Sequence, residues 1–190
     1  MPTQSSEVDF RKNWVSAYNP SRIANTSVRT TRQIYLVPFE VSGIHLFDSA
    51  SFRFKFTWVA SGPAPSFNFY NAVYRVERGQ GGTASTLVKC FDIGSITRTG
   101  GVTGTEYVNL VQTAITANNY LKEGVYCVAF LWVDTSVIPS RETFIASGNT
   151  LAVAGGWFNL IATGGVTTLP ATITAFTGSD NFSIYFESLN

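Results

Sequence analysis

The sequence contains few of the residues that enzymes and metal sites most often use. It has one histidine, His45, and two cysteines, Cys90 and Cys127, and none of the three stands at the spacing of a metal site. The Gly-x-Ser-x-Gly turn of many hydrolases is absent. We therefore expect no metal, no cofactor and no catalytic residue, and we interpret His45 as a loop or strand-end residue.

Charged residues are also scarce. They make up 13% of the chain, and the net charge is only +1, whereas charged residues form about 25% of an average soluble protein. A nearly neutral chain attracts polyanions weakly over a distance, which argues against nucleic acid or acidic lipid as the main partner. Low surface charge also gives little protection against association, so we expect a homo-oligomer.

Long apolar runs are missing as well. The first residues lack the apolar core of a signal peptide, and no stretch reaches the ~18 apolar residues of a membrane helix. We expect neither export by that route nor membrane insertion. Cys90 and Cys127 lie in strand-like runs, which favours buried, reduced thiols made in a cytosol over a disulfide between neighbouring strands.

What the sequence does contain is a regular alternation of aromatic and polar residues. The clearest example is residues 51–58, where Phe52, Phe54, Phe56 and Trp58 occupy every second position. Successive side chains of a strand point to opposite faces, so this pattern predicts a half-buried antiparallel strand. No segment of useful length shows the 3.6-residue period of an amphipathic helix. The chain is therefore predicted to be all-β.

Glycine-rich turns separate these alternating segments. Eight or nine antiparallel strands predict a two-sheet sandwich, and we favour a jelly roll. Residues 124–133 are apolar at both parities, so we expect a central strand with both faces covered. The predicted strands are 32–40, 51–60, 66–78, 85–92, 105–117, 124–134, 142–146, 157–162 and 181–188.

The chain is predicted to divide near residue 32 into an extended amino-terminal arm, residues 1–32, and a β-sandwich domain, residues 33–190. Residues 1–33 carry a net charge of +3, and the remainder carries −2. The arm is either a solvated tail or a docking segment that orders against an acidic neighbouring subunit. The docking residues would be Arg11, Lys12, Trp14, Tyr18 and Arg22.

Aromatic side chains near loops offer a second kind of contact. A Tyr or Trp ring covers the apolar face of a pyranose, while neighbouring polar groups bond the sugar hydroxyls. Most Phe residues alternate within predicted strands and are expected in the core. The candidate glycan contacts near predicted loops are Tyr107, Asn118, Tyr120 and Trp157.

Six short motifs follow one another along residues 33–190. They read IYLVPF at 34–39, FNFYNAVY at 67–74, TLV at 86–88, TG at 103–104, LKEGVY at 121–126 and LPAT at 169–172. In this order they resemble a module of bacteriophage tail-fibre and tail-associated proteins. The resemblance implies a component of the virion surface that works by binding, and trimers are common among such parts.

On this resemblance we expect a virion structural protein of the tail or fibre apparatus, assembled in the host cytoplasm. It would bind other virion proteins through its arm and attach to the host surface, where a glycan is a candidate ligand. A capsid decoration protein is the alternative within this class. Outside it stand a free lectin and an enzyme acting on polysaccharide, which needs two carboxylates about 5–9.5 Å apart.

Overall fold

The computed structural model describes only part of the chain. The described residues are 14–15, 25–28, 32–47, 49–59, 66–79, 86–99, 103–112, 119–134, 141–146, 160–162, 165–178 and 185–189. Every secondary-structure element among them is a β-strand, and every strand pairing is antiparallel. This part of the chain contains no helix with the length and apolar character that crossing a membrane requires. The predicted all-β class is confirmed.

The described residues form fifteen strands, numbered here in chain order. They are β1 (Trp14–Val15), β2 (Asn25–Val28), β3 (Ile34–Val41), β4 (His45–Leu46), β5 (Ser49–Val59), β6 (Ser66–Glu77), β7 (Thr86–Thr99), β8 (Thr103–Gln112), β9 (Tyr120–Leu121), β10 (Gly124–Asp134), β11 (Arg141–Ala146), β12 (Leu160–Ala162), β13 (Thr172–Ile173), β14 (Phe176–Gly178) and β15 (Tyr185–Leu189). Each strand predicted from the sequence overlaps one of them. The alternating segment 51–58 lies within β5, and the burial of its rings lies outside the described residues.

These strands form two sheets and a small ribbon. The seven-stranded sheet has the order β13-β7-β6-β10-β3-β12-β14. The six-stranded sheet has the order β1-β15-β5-β11-β2, and β8 pairs with the other side of β5. Strands β4 and β9 pair only with each other among the described strands. Successive long strands mostly alternate between the two sheets, which gives the predicted jelly-roll-like antiparallel sandwich.

Two segments of the predicted arm belong to the six-stranded sheet. Trp14 of β1 lies opposite Ser188 of β15, and Thr26 of β2 lies opposite Ile145 of β11. The alternation pattern did not predict these strands, because residues 25–28 are mostly polar, as is common at sheet edges. The rest of residues 1–31 lies outside the described residues, and the boundary near residue 32 stays a prediction.

The central strand β10 is buried on both faces, as its sequence predicts. One face contributes Phe130 and Trp132 to a cluster rich in aromatic rings, which we call the aromatic cluster. The other face contributes Cys127 and Leu131 to a cluster of mainly smaller side chains, the aliphatic cluster. Strands β6 and β3 flank β10 along most of its length. Packing within the two clusters shields both rows of side chains from water.

The seven-stranded sheet is strongly curled. Strands β13 and β14 form its opposite edges, yet only residues 174–175 separate them in the chain. Neighbouring strands lie about 4.8 Å apart, so the edges of a flat sheet of this width would be about 29 Å apart. Three steps of extended chain reach at most about 11 Å. The sheet must therefore curl until its two edges nearly meet.

A segment that we call the covering segment, residues 165–173, packs on the aliphatic face of this curled sheet. Its Leu169 and Ile173 belong to the aliphatic cluster, and Val166 packs against it. The amide of Val166 donates to the carbonyl oxygen of Arg32 over 3.0 Å, and the amide of Lys89 donates to Ala171 over 2.9 Å. These bonds hold the covering segment to strands on both sides of the curl.

The two cysteines are unpaired, as expected. Cys127 is fully buried in the aliphatic cluster, and Cys90 of β7 is half-buried against the aromatic cluster. Burial raises the pKa of both thiols, because desolvation disfavours the thiolate. Both side chains therefore act as small hydrophobic residues.

Candidate functional site

A cleft of about 290 Å³ opens beside the covering segment, over the middle of β6 and β7. Strands β6 and β7 supply one wall, and the covering segment supplies the other. The lining residues are Tyr70, Asn71, Lys89, Asp92, Gly94, Ser95, Thr168 and Leu169. Its lining combines polar side chains with one aromatic ring, that of Tyr70.

Two irregularities in strand pairing create the polar wall. The register between β6 and β7 shifts between Asn71 and Ala72 and again between Val73 and Tyr74. Each shift inserts an extra residue into β7, as in a β-bulge. Gly94 lies beside the first shift with a φ of 147°, a value that side-chain-bearing residues rarely adopt.

The bulges change which residues of β7 share a face. In a regular strand, residues three apart point to opposite faces. Here Lys89 lies opposite Tyr74, and Asp92 lies opposite Ala72. Tyr74 and Ala72 belong to the aliphatic cluster and therefore lie on the same face of β6. Residues that lie directly opposite one another share a face of the sheet, so Lys89 and Asp92 are brought together. Bulges are common next to functional sites because they redirect side chains in this way.

Lys89 is held firmly at the edge of the cleft. Its Nζ donates to Asp92 Oδ1 over 3.0 Å and to the carbonyl oxygen of Leu169 over 2.8 Å. The Lys89 side chain is 20% exposed, whereas that of Asp92 is 65% exposed. Such a pair adds little stability, because its carboxylate is well solvated. Its effect is to fix an ammonium and a carboxylate side by side at the cleft.

Tyr70 and Ser95 extend the same face toward the end of the strands. They lie opposite one another in β6 and β7. Tyr70 is half-buried and packs against the aliphatic cluster, while Ser95 is exposed. The cleft therefore combines an aromatic ring, a hydroxyl, an ammonium and a carboxylate. This combination suits a small ligand with both an apolar face and hydroxyl groups.

Asn71 is an unusual member of the lining. Its side chain is buried to 1% exposure, and neither amide atom has a hydrogen-bond partner among the described residues. Phe69 and Val73, two residues before and after Asn71 on the same face of β6, belong to the aromatic cluster. Gly94 lies opposite Asn71 in β7. A buried amide without partners costs about 1–3 kcal/mol. Asn71 therefore lowers the free energy of unfolding at a position beside the cleft.

The ribbon of β4 and β9 contains the histidine and one predicted glycan contact. His45 begins β4, as expected of a strand-end residue, and is buried with its ring 6.0 Å from that of Phe47. Burial lowers the pKa of His45 because it disfavours the charged imidazolium. Tyr120, in β9, is 61% exposed, and Ile44 beside β4 is 45% exposed. These are the exposed large hydrophobic residues of the described chain.

The two described residues that are predicted to contact glycan lie in different sheets. Tyr120 lies in the ribbon, whereas Tyr107 lies within β8 of the six-stranded sheet, opposite Lys55. Asn118 and Trp157 lie outside the described residues, so the predicted glycan set stays a prediction.

The predicted docking residues can be placed only in part. Trp14 lies in β1. Arg11, Lys12, Tyr18 and Arg22 lie outside the described residues. The role of these residues also stays a prediction.

Reasoning from the sequence missed the cleft residues. Tyr70, Lys89, Asp92 and Ser95 are spread over two strands, and strict alternation would separate Lys89 from Asp92. The available indication was Gly94, because an isolated glycine inside a strand often marks a bulge. Within the described ranges, no three His, Cys, Asp or Glu side chains are grouped as a metal site would require.

Comparisons with known proteins identify no family for this chain. No protein family matches it, and no curated protein matches it significantly in sequence. Among solved structures, the crystal structure of the infectious bursal disease virus VP2 subviral particle is similar over 93% of this chain, with 12% identity and a TM-score of 0.20. The chain spans 37% of that VP2 chain. A TM-score this low decides neither fold nor function.

Proposed function

We propose that this protein is a structural component of a bacteriophage virion, part of the tail or fibre apparatus, that acts by assembly and by attachment to the host surface. The observation that carries the proposal is the position of the motifs on which the resemblance rests. Five of the six motifs contribute residues to the same packed sheet and its cover, and the sixth, residues 103–104, begins β8 of the other sheet. They form the framework of the domain, as residues typical of a structural module should.

Particular contacts join these motifs. The Tyr35 ring of the first motif stacks on Trp132 of β10, a residue outside the motifs, with ring centres 4.8 Å apart. Phe39, also in the first motif, stacks on Tyr126 of the fifth at 5.7 Å. The Tyr74 hydroxyl, in the second motif, donates to the carbonyl oxygen of Pro170 in the last over 2.6 Å. Motifs far apart in the chain thus depend on one another for packing, which supports their being parts of one module.

A role in binding is favoured over polysaccharide cleavage by the chemistry of the cleft. A glycosidase uses two carboxylates about 5–9.5 Å apart. The described lining contains one carboxylate, that of Asp92, and it is paired with Lys89. The cleft is therefore better suited to holding a ligand than to acid–base chemistry.

The amino-terminal arm is proposed to dock on a neighbouring virion protein. Its net positive charge would attract an acidic surface over short distances. In the six-stranded sheet, β1 and β2 are the end strands of their path. A homotrimer is proposed as the assembly.

Purified particles provide the test. Mass spectrometry should detect this chain in particles from the culture that produces it, and immunogold labelling should place it on the tail. Label confined to the capsid would instead favour a capsid decoration protein, and absence from particles would favour a free lectin. Analytical ultracentrifugation of the purified chain should give the mass of a trimer.

The arm has its own test. The triple variant Arg11→Ala, Lys12→Ala, Arg22→Ala should be incorporated into particles less efficiently than the parent chain. The matched control removes three exposed cations of the sandwich, Arg75, Arg78 and Lys122, and should be incorporated normally. Equal incorporation of both variants would contradict a docking role for the arm.

A further inference from the structure

We infer that the cleft beside Lys89 and Asp92 is a binding site for a neutral hexopyranose, bound through a pair of adjacent hydroxyl groups with its apolar face on Tyr70. The inference rests on the proposed role in host-surface attachment and names the ligand class of that role. It also moves the glycan site to residues other than those that the sequence predicts.

The polar atoms of the cleft are arranged before any ligand arrives. A lysine ammonium has three donor hydrogens, and Lys89 uses two of them on Asp92 Oδ1 and on Leu169. One donor is left over from these bonds. Asp92 retains acceptor capacity on a carboxylate that is 65% exposed. A donor and an acceptor therefore stand next to one another on one face of β7.

This spacing matches a vicinal diol. One hydroxyl accepts from Lys89 Nζ, and its neighbour donates to the free carboxylate oxygen of Asp92. Both hydrogen bonds involve a charged group, which makes them stronger than bonds between neutral groups. Because the two side chains already hold one another in place, the ligand loses less binding energy to ordering them.

The aromatic ring supplies the apolar half of the recognition. Tyr70 lies on the same face as the ion pair and is half-buried, so its ring is fixed by packing and yet accessible in part. The Ser95 hydroxyl lies opposite Tyr70 in the neighbouring strand and adds a further hydrogen-bonding group. A ring beside hydroxyl-binding groups is the arrangement that suits a pyranose.

The charge and size of the cleft restrict the ligand further. The ammonium and the carboxylate balance one another, and an acidic sugar would bring its own carboxylate close to that of Asp92, which like-charge repulsion disfavours. The volume of about 290 Å³ lies just below the ~300–1,000 Å³ range of ligand pockets. A single neutral sugar ring fits these limits better than an acidic or extended ligand.

The test uses the full-length chain and saturation-transfer NMR. The neutral probes are the methyl glycosides of glucose, galactose and mannose, and the acidic probes are methyl glucuronide and methyl sialoside. We expect at least one neutral probe to bind and to be competed by the same free sugar. Absence of binding by all neutral probes, or tighter binding of an acidic probe, would overturn the inference.

Variants locate the binding to the cleft. Asp92→Asn should raise the dissociation constant of the neutral probe by about tenfold, the effect expected of losing a charged hydrogen bond. Ser95→Ala, an exposed position with no role in packing, should weaken it less. Glu40→Gln removes an exposed carboxylate outside the cleft and should bind as the parent does. Equal binding by Asp92→Asn and Glu40→Gln would overturn the inference, even if the chain binds sugar.

A second control separates the cleft from the site predicted by sequence. Tyr120→Ala removes an exposed ring outside the cleft and should leave binding unchanged, whereas Tyr70→Leu should abolish the stacking and weaken binding. Weaker binding by Tyr120→Ala together with unchanged binding by Tyr70→Leu would instead place the glycan site in the ribbon of β4 and β9.

The inference and the proposed function fail in different ways. If the chain is found in virions but binds no neutral sugar, the sugar site in the cleft is contradicted and the virion role is not. A chain that binds sugar through Asp92 but is absent from particles would overturn the virion role alone.

Discussion

The hydroxyl of Tyr74 donates a hydrogen bond of 2.6 Å to the carbonyl oxygen of Pro170, 96 residues later in the chain. Tyr74 lies in β6, in the middle of the curled sheet, and its ring is part of the aliphatic cluster. Pro170 lies in the covering segment. The bond therefore attaches that segment to the centre of the sheet and, with it, one wall of the cleft.

Removal of this hydroxyl should loosen the cover. We expect Tyr74→Phe to lower the free energy of unfolding by about 1 kcal/mol, because the carbonyl of Pro170 loses its donor while the ring remains packed. Urea denaturation measures this change. The control is Tyr120→Phe, where the side chain is 61% exposed and the change should stay within about 0.5 kcal/mol. Equal stability of Tyr74→Phe and the parent would show that the bond contributes nothing.

Stability should also depend on pH in the alkaline range. Burial, with a smaller effect from the charge of Asp92, raises the pKa of Tyr74 above its usual value of 10.0. Above about pH 10 the unfolded chain loses this phenol proton while the folded chain keeps it, so the unfolded state is favoured as the pH rises. The free energy of unfolding should therefore fall above pH 10, and Tyr74→Phe should show a smaller slope. Urea titrations between pH 8 and 11 compare the two slopes, and identical slopes would contradict the prediction.

Arg32 stores backbone strain at the entry to β3. Its φ of 62° lies in the left-handed region, and its amide donates to Trp132 over 2.9 Å. Glycine adopts this conformation without steric cost, whereas a β-branched residue does not. We expect Arg32→Val to be about 1–2 kcal/mol less stable than Arg32→Gly. Thermal unfolding of the two variants checks the difference, and equal melting temperatures would show that the strain is absent in solution.

Asn71 should be replaceable by an apolar residue with a gain in stability. Asn71→Val removes a buried amide without partners among the described residues, and we expect a gain of about 1–2 kcal/mol. Asn68→Val is the matched control in the same strand, because Asn68 Oδ1 accepts from Thr97 over 2.7 Å and its loss should lower stability. A loss of stability in Asn71→Val would indicate that a buried water satisfies the amide.

The two thiols should react at different rates. Cys127 is fully buried, and burial raises the pKa of its thiol, so a disulfide reagent should modify it only as fast as the protein unfolds. Cys90 is half-buried and should react sooner. Single variants Cys90→Ala and Cys127→Ala assign the two phases. A fast phase that persists in Cys90→Ala would contradict the burial of Cys127.

Alternation predicted most of the long strands because burial depends on the parity of each residue within a strand. The apolar run at 124–133 predicted the central strand β10 and the covering of both its faces. The same reasoning failed within β7, where two bulges interrupt the parity. It also missed β13 and β14, which have two and three residues and whose pairing depends on the curl of the whole sheet.

The candidate site was less predictable than the fold for the same physical reason. Tyr120, which the sequence placed near a loop, lies in β9 and is exposed, and its contact with glycan stays a prediction. The ion pair of Lys89 and Asp92 was not predicted, because a regular strand would place these residues on opposite faces. Gly94 marked the irregularity in the sequence, but the number of inserted residues depends on how β7 pairs with β6.

The sequence by itself determined that this chain forms antiparallel strands and which residues of β10 are buried, because hydrophobic burial acts on each residue according to its parity. Tertiary structure alone decided that residues 172–178 bridge both edges of one sheet and that Lys89 and Asp92 meet at a cleft. These features arise from register and curvature, which depend on contacts between segments far apart in the chain. A pattern within one strand contains no information about them.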